Sequence, residues 1–373
     1  MNKSPLLIPV YKPCLGGNES LYVDQCIKSG WISSKGNYVT EFENKFSKCL
    51  GVEYSTSVCN GTVALHLALK TLGIGPGDEV IVPTFTYIAS VNAIHYVGAK
   101  PIFVDSESIS WNLDPDLIEG AISPRTKAIL AVHLYGAPCN IEKISNICRN
   151  KKLYLIEDVA EALGSKVDNR YVGSHGDIAT FSFFGNKTIT TGEGGMLVSN
   201  QKSIIERAAF LKSQAVSPVR EYWHDEVGFN YRMTNICAAI GLAQLEQFEV
   251  ILEKKRQIAQ WYRDELSGTS LLFQLDSNKF HNSYWMVSVL ANGAVERDNI
   301  RTYLRKNGVE TRPFFYPVHT MPAFQTDQKF PIAESLSACG LNLPSYPDLL
   351  KKEVILISSL IKTALNLGKM VDT

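Results

Sequence analysis

The stretch "LYLIED" (153–158) decides the fold. Four apolar residues run without a break and then meet two acids, so neither side of the segment is marked for water. Such a run is expected of a strand buried on both faces, as in a parallel sheet covered by helices. Segments of the same kind recur at "DEVIVP" (78–83), "KPIFVD" (100–105), "KAILAVH" (127–133), "IATFSFF" (178–184) and "GMLVSN" (195–200). Helical spacing fills the gaps at "IASVNAIHYVG" (88–98), "DPDLIEGAI" (114–122) and "IEKISNICRN" (141–150). This alternation predicts a large α/β domain whose mostly parallel sheet is covered by helices.

A second unit begins near residue 245. Sustained helical periodicity over 242–266 predicts one long connecting helix. A strand at 284–290, a helix at 296–308, a strand at 309–315 and a helix near 352–366 follow, which predicts a smaller C-terminal α+β domain. The expected division is 1–245 for the large domain, N-terminal segment included, and 246–373 for the small one. A chain of 373 residues exceeds what one compact core usually holds.

Lys+Arg and Asp+Glu both number 37, so the totals show no electrostatic footprint for nucleic acid or an anionic membrane. The eight cysteines form no CxxC pair and lie in apolar segments, which predicts free buried thiols in a reducing compartment. The seven histidines are scattered, so no zinc site is expected. The apolar run in "MNKSPLLIPVYKP" is short for a signal peptide, and no run of about twenty apolar residues is present to span a membrane. A cytoplasmic location is the expectation.

Four places could carry chemistry. Asp158 ends its strand, where ligands of open parallel sheets bind; with Glu161 three residues on, it also fits a helix capping box. "CNGTVALHLAL" (59–69) is a turn leading into a helix, either a plain cap or an anion site built on Gly61 and Thr62. His66 on that helix is expected in the core. Tyr87 follows a strand end and could stack on a planar ring or be an ordinary buried tyrosine. Lys187 stands between the aromatic strand and the glycines of "FSFFGNKTITTGEGG" (181–195). A lysine amine held beside a cofactor aldehyde forms a Schiff base, and pyridoxal phosphate needs such a lysine, a carboxylate for its ring nitrogen and a phosphate site.

Together these stretches resemble the DegT/StrS type of sugar aminotransferase. The likeness also runs through "WISSKGNYVTEFE" (31–43), "HLYGAPCNIEKI" (133–144), "GFNYRMTNICAAIGLAQLEQ" (228–247), "ETRPFFYPVHTMP" (310–322) and "GLNLPSYP" (340–347), almost the whole chain. It implies a fold-type I pyridoxal-phosphate transferase, like aspartate aminotransferase. Lys187 would hold the cofactor and shuttle the proton, and Asp158 would pair with the pyridinium nitrogen. Glu161 would meet the ring hydroxyl, where many relatives have glutamine. Gly61, Thr62 and Ser182 would hold the phosphate, with Cys59 where the family usually has serine. Tyr87 would stack on the ring. Asn230 would reach the phosphate of the partner subunit's cofactor, which implies a homodimer with shared active sites and leaves a larger assembly open.

The resemblance further places Trp31, Ser33, Ser34, Arg312, Tyr316 and His319 at the substrate; Arg312 could equally be a structural ion pair. Lysine rather than histidine at 187 favours amination over 3-dehydration. The implied reaction moves the amino group of L-glutamate to the 4-keto group of a nucleotide-linked 4-keto-6-deoxy sugar. GDP-4-keto-6-deoxy-D-mannose is the expected acceptor, for O-antigen and lipopolysaccharide synthesis. A dTDP- or UDP-linked acceptor, a 3-dehydratase and a non-catalytic binder are the alternatives.

Overall fold

The computed structural model describes residues 8–371, with side chains to Gly368. The apolar residues before Ile8, on which the signal-peptide expectation partly rests, lie outside the described residues. Strands β1 (Tyr54–Val58), β2 (Glu79–Pro83), β3 (Lys100–Val104), β4 (Thr126–Val132) and β5 (Tyr154–Asp158) come first. A short hairpin, β6 (Lys166–Val167) and β7 (Arg170–Tyr171), precedes β8 (Ile178–Ser182) and β9 (Gly195–Ser199). All but the hairpin join one sheet in the order β1-β9-β8-β5-β4-β2-β3. The pairs from β3 to β8 are parallel; β9 runs antiparallel to both β8 and β1. The loop at 183–194 carries no helix to return the chain to the start of the sheet, so β9 comes straight back.

Helices α1 (Glu19–Ser29), α2 (Asn37–Leu50), α3 (Gly61–Thr71), α4 (Ala89–Tyr96), α5 (Pro115–Ala121), α6 (Ile141–Lys151) and α7 (Lys202–Lys212) cover this sheet. Neighbouring residues of one strand enter opposite cores. Val80, Val82 and Ile156 pack in one apolar cluster with residues of α3, α4 and α7. Ile81, Leu155 and Val198 pack in another with residues of α2 and α6. Both faces are therefore dry, which is the reason the strands carry unbroken apolar runs.

The long helix expected over 242–266 is two helices. These are α8 (Asn235–Glu246) and α9 (Phe248–Glu265), bent by 62° at Gln247. The bend lets each half bury its own stripe. α8 packs against α1 and α2. α9 sends Phe248, Ile251 and Leu252 into the large-sheet core and Ile258, Ala259 and Tyr262 into a third cluster. Among the described residues no single helix is long and apolar enough to cross a membrane.

The remaining strands are β10 (Leu272–Phe273), β11 (Phe280–His281), β12 (Val287–Leu290), β13 (Arg312–Pro313) and β14 (Gly340–Leu343). Four of them form an antiparallel sheet, β10-β12-β14-β13, packed with α10 (Ala294–Lys306) and α12 (Lys351–Val371); α11 (Pro331–Cys339) leads into β14. The strand expected at 309–315 shrinks to two residues. Pro313 has no N–H for the ladder, and Phe314 turns away into the large-sheet core. β11 instead pairs with β6 of the hairpin, making a separate three-stranded sheet.

The second unit meets the large sheet at Gly136. Its φ is +109°, and a Cβ there would lie 2.6 Å from Asn282 Oδ1 and 2.7 Å from the Tyr284 nitrogen. Only glycine lets the 282–285 backbone approach this turn. The Ser283 N–H then donates to the Gly136 carbonyl at 3.2 Å, and the Met286 N–H to the Tyr135 carbonyl at 3.4 Å.

Candidate active site

The carboxyl ends of β4, β5 and β8 converge on one place. β5 ends in Asp158, which is 5% exposed. The Ala160 N–H donates to Asp158 Oδ1 at 3.0 Å, and the Ser90 hydroxyl donates to Oδ2 at 2.8 Å. Burial pushes the Asp158 carboxyl up from its ordinary range, and these donors with Lys187 pull it back.

The turn after β5 brings up Glu161, also buried. The Tyr135 N–H, in the turn after β4, donates to Glu161 Oε2 at 3.0 Å. Glu161 Oε1 lies 3.6 Å from Lys187 Nζ. Burial raises the Glu161 carboxyl to about 7 and lowers the Lys187 amine, while each partner's charge opposes the shift of the other.

Lys187 comes from the loop after β8. Its N–H donates to the Phe184 carbonyl at 2.9 Å, and its carbonyl accepts from the Tyr11 hydroxyl at 2.5 Å. Its side chain is 13% exposed. Nζ sits 3.9 Å from the centroid of the Trp285 ring. The Trp285 Nε1–H donates to the Asn186 carbonyl at 2.6 Å.

A helix start lies beside the end of β8. Asn60 caps α3 by accepting from the Val63 N–H at 3.0 Å. That leaves the first N–H groups of the helix, at Gly61 and Thr62, pointing outward with the positive end of the helix dipole. A Cβ on Gly61 would lie 2.7 Å from Ser182 Cβ and 3.0 Å from Ser182 Oγ. The hydroxyl of Ser182 therefore borders the same spot. Gly195, at the end of the glycine run, would clash with the Asn60 carbonyl at 2.7 Å if it carried a Cβ. That glycine lets chain approach chain and so fixes the turn.

Behind Asp158, the buried His133 points Nε2 at Glu157 Oε2, 3.1 Å away, and Nδ1 accepts from the Cys139 N–H at 3.0 Å. Burial pushes the Glu157 carboxyl up, but His133, His175 and the Gly173 N–H outweigh it and hold it at about 2. This pair anchors the ends of β4 and β5 beneath the site.

Residues 13–362 match the model of the DegT/DnrJ/EryC1/StrS aminotransferase family. The chain belongs to this family. It is 56% identical over 351 residues to a GDP-perosamine synthase of Escherichia coli O157:H7, covering 94% of this chain and 96% of that one. It is 49% identical to a GDP-perosamine synthase of Vibrio cholerae, over 96% of this chain and all of the relative. The crystal structure of an aminotransferase, TlmJ from Streptoalloteichus hindustanus, superposes with a TM-score of 0.93 at 31% identity, covering 97% of this chain and all of that one.

Aminotransferases of the family depend on pyridoxal phosphate, and the donor set here suits that group. A largely buried amine, two buried carboxyls and an outward-facing helix start beside a serine hydroxyl are assembled from β5, α3 and the ends of β8. Gly61, Thr62 and Ser182 would take the phosphate, Asp158 the ring nitrogen and Glu161 the ring hydroxyl. The exposed ring of Tyr87 lies 5.5 Å from Phe315, whose ring is 5.1 Å from that of Tyr135.

Asn230 is exposed, next to Tyr231, whose carbonyl accepts from the Cys59 N–H at 2.9 Å just ahead of the phosphate turn. Trp31, Ser33 and Ser34 lie in the loop between α1 and α2. The Trp31 and Ser33 carbonyls accept from Asn235, at the start of α8. Arg312 is half exposed, 3.8 Å from Glu310, and Tyr316 is exposed. His319 is buried, its Nδ1 2.7 Å from the Thr84 hydroxyl and its Nε2 3.3 Å from Glu334.

Sequence reading missed Ser90, Tyr135, Tyr11 and Trp285. The first two lie inside stretches already marked, "IASVNAIHYVG" and "HLYGAPCNIEKI", yet a hydroxyl and a backbone N–H leave no pattern of their own. Lys187→Ala is expected to abolish amino transfer, and Asp158→Asn to slow it by roughly two orders of magnitude, with circular dichroism unchanged. Single-turnover rates with L-glutamate check both; a Lys187→Ala variant near the wild-type rate contradicts this assignment.

Proposed function

We propose that this chain transfers the amino group of L-glutamate to C4 of GDP-4-keto-6-deoxy-D-mannose, giving GDP-perosamine. The observation that carries the reading is the Lys187 amine held against Glu161 and Trp285 at the mouth of β5 and β8. The 56% identity to a GDP-perosamine synthase over nearly the full length supports the choice of acceptor.

When bound, pyridoxal phosphate supplies an aldehyde for an amine and a pyridinium ring that withdraws electrons from the reacting carbon. The chain's residues do the rest. Asp158, paired with a cation, gives up the proton that burial would otherwise keep on it, and its negative charge then favours a protonated ring nitrogen. Ser90 and the Ala160 N–H fix both of its oxygens in place. Lys187 takes a proton from the donor carbon and later returns one to the acceptor carbon. Glu161, 3.6 Å away, steadies its ammonium form. Release of 2-oxoglutarate consumes a water molecule and amination of the keto sugar returns one, so the site must admit water; the Lys187 side chain is 13% exposed. L-glutamate leaves as 2-oxoglutarate before the sugar is aminated, so double-displacement kinetics are expected.

Turnover with GDP-, dTDP- and UDP-linked 4-keto-6-deoxy sugars, read by product mass, tests the acceptor. The GDP sugar is expected to give an amino product at a specificity constant at least roughly tenfold above the others, about 1.4 kcal/mol of discrimination. A dTDP or UDP preference overturns the acceptor, and a ketodeoxy product without nitrogen transfer overturns the reaction.

The same reading makes the enzyme a homodimer, with Asn230 serving the partner's phosphate site. Its exposure leaves the side chain available to a second chain. Mixing refolded Lys187→Ala and Asn230→Ala chains is then expected to restore activity above that of either parent, because one site of each hybrid is complete. No gain on mixing means that Asn230 acts within its own chain.

A further inference from the structure

The Lys187 amine faces two kinds of partner. On one side are acids from the end of β5, Glu161 at 3.6 Å and Asp158, which acts on the same charge. On the other is the indole face of Trp285 at 3.9 Å. A ring face at this distance attracts a cation through its quadrupole, most strongly where water is excluded. It offers a neutral amine only a weak N–H contact.

The ring is held in place from three directions. Nε1–H donates to the carbonyl of Asn186, the residue before the lysine. The ring stacks on Tyr135 at 13° and 6.2 Å, and Tyr135 is the residue whose N–H holds Glu161. The loop behind it is clamped at Gly136, and only 4% of Trp285 is exposed. Trp285 is thus the point where the second unit touches the reacting amine.

We propose that Trp285 stabilises the protonated form of Lys187 through its ring face and so sets the pH at which this lysine becomes a free base. Its consequence for catalysis rests on Lys187 being the reacting amine. On release the proton passes to Glu161, the carboxylate within ion-pair distance, or to water. The charged groups that act on this amine are Glu161 and Asp158 from the β5 end; Tyr135 from the β4 turn and Tyr11, whose hydroxyl holds the lysine's own carbonyl, are kept neutral by burial.

Trp285→Phe and Trp285→Leu both lose the bond to Asn186, and only the first keeps a ring. Full-length protein freed of cofactor is labelled with acetic anhydride at graded pH, and the Lys187 peptide is quantified by mass spectrometry. The labelling midpoint is expected to fall by about half a unit to one unit in the leucine variant and to stay within a few tenths in the phenylalanine variant. Equal midpoints in the two variants, or a rise with leucine, overturn the proposal. Should the leucine variant fail to fold, indole emission of the wild type is followed against pH beside Lys187→Met. A pH-dependent step at the labelling midpoint, absent from the methionine variant, is expected; identical curves overturn the proposal. If Lys187 titrates as described yet amino transfer fails, the functional reading falls and this inference stands.

Discussion

An ammonium group taken out of water must have its hydration replaced by charge and dipole, or it surrenders its proton. Lys187 lives under that constraint. Burial drives its amine toward neutrality and drives Glu161 and Asp158 toward protonation. The ammonium favours both carboxylates and they favour it, while the charge of Asp158 works against that of Glu161, so a small number of protons is shared among three side chains. A site poised in this way changes protonation state at little cost, which is what repeated proton transfer at neutral pH requires.

The architecture around the three groups keeps them close. Asp158 and Glu161 come from one strand end, Lys187 from the loop after its neighbour β8, and Trp285 from the other unit of the chain. No single element could present all four. The parallel sheet brings the strand ends together, and His133 with Glu157 ties β4 to β5 beneath them. Three glycines permit close approaches here: Gly61 to Ser182, Gly195 to Asn60, and Gly136 to the 282–285 backbone. A side chain at any of them would push apart segments that the site needs in contact.

Much of this was legible in residue order, for a physical cause. Strands dry on both faces must be apolar throughout, so β2 to β5, β8 and β9 announce themselves. β1 does not, because "YSTSV" carries two serines and a threonine at the sheet's edge next to β9. The helix over 242–266 looked continuous because both halves share a period, while the bend at Gln247 answers to two separate cores. Lys187, Asp158 and Glu161 were readable as chemistry-bearing residue types in a recognisable order. Trp285, Ser90 and Tyr135 were not. Their part depends on which segments meet in space, and Trp285 lies 98 residues beyond the lysine that it covers (285 − 187).

Borohydride reduction of the cofactor-loaded enzyme, followed by peptide mapping, tests the central claim most directly. The cofactor is expected on the peptide containing Lys187 and on no other. Its recovery on a different buried lysine, such as Lys212 or Lys255, or on none, would contradict the account.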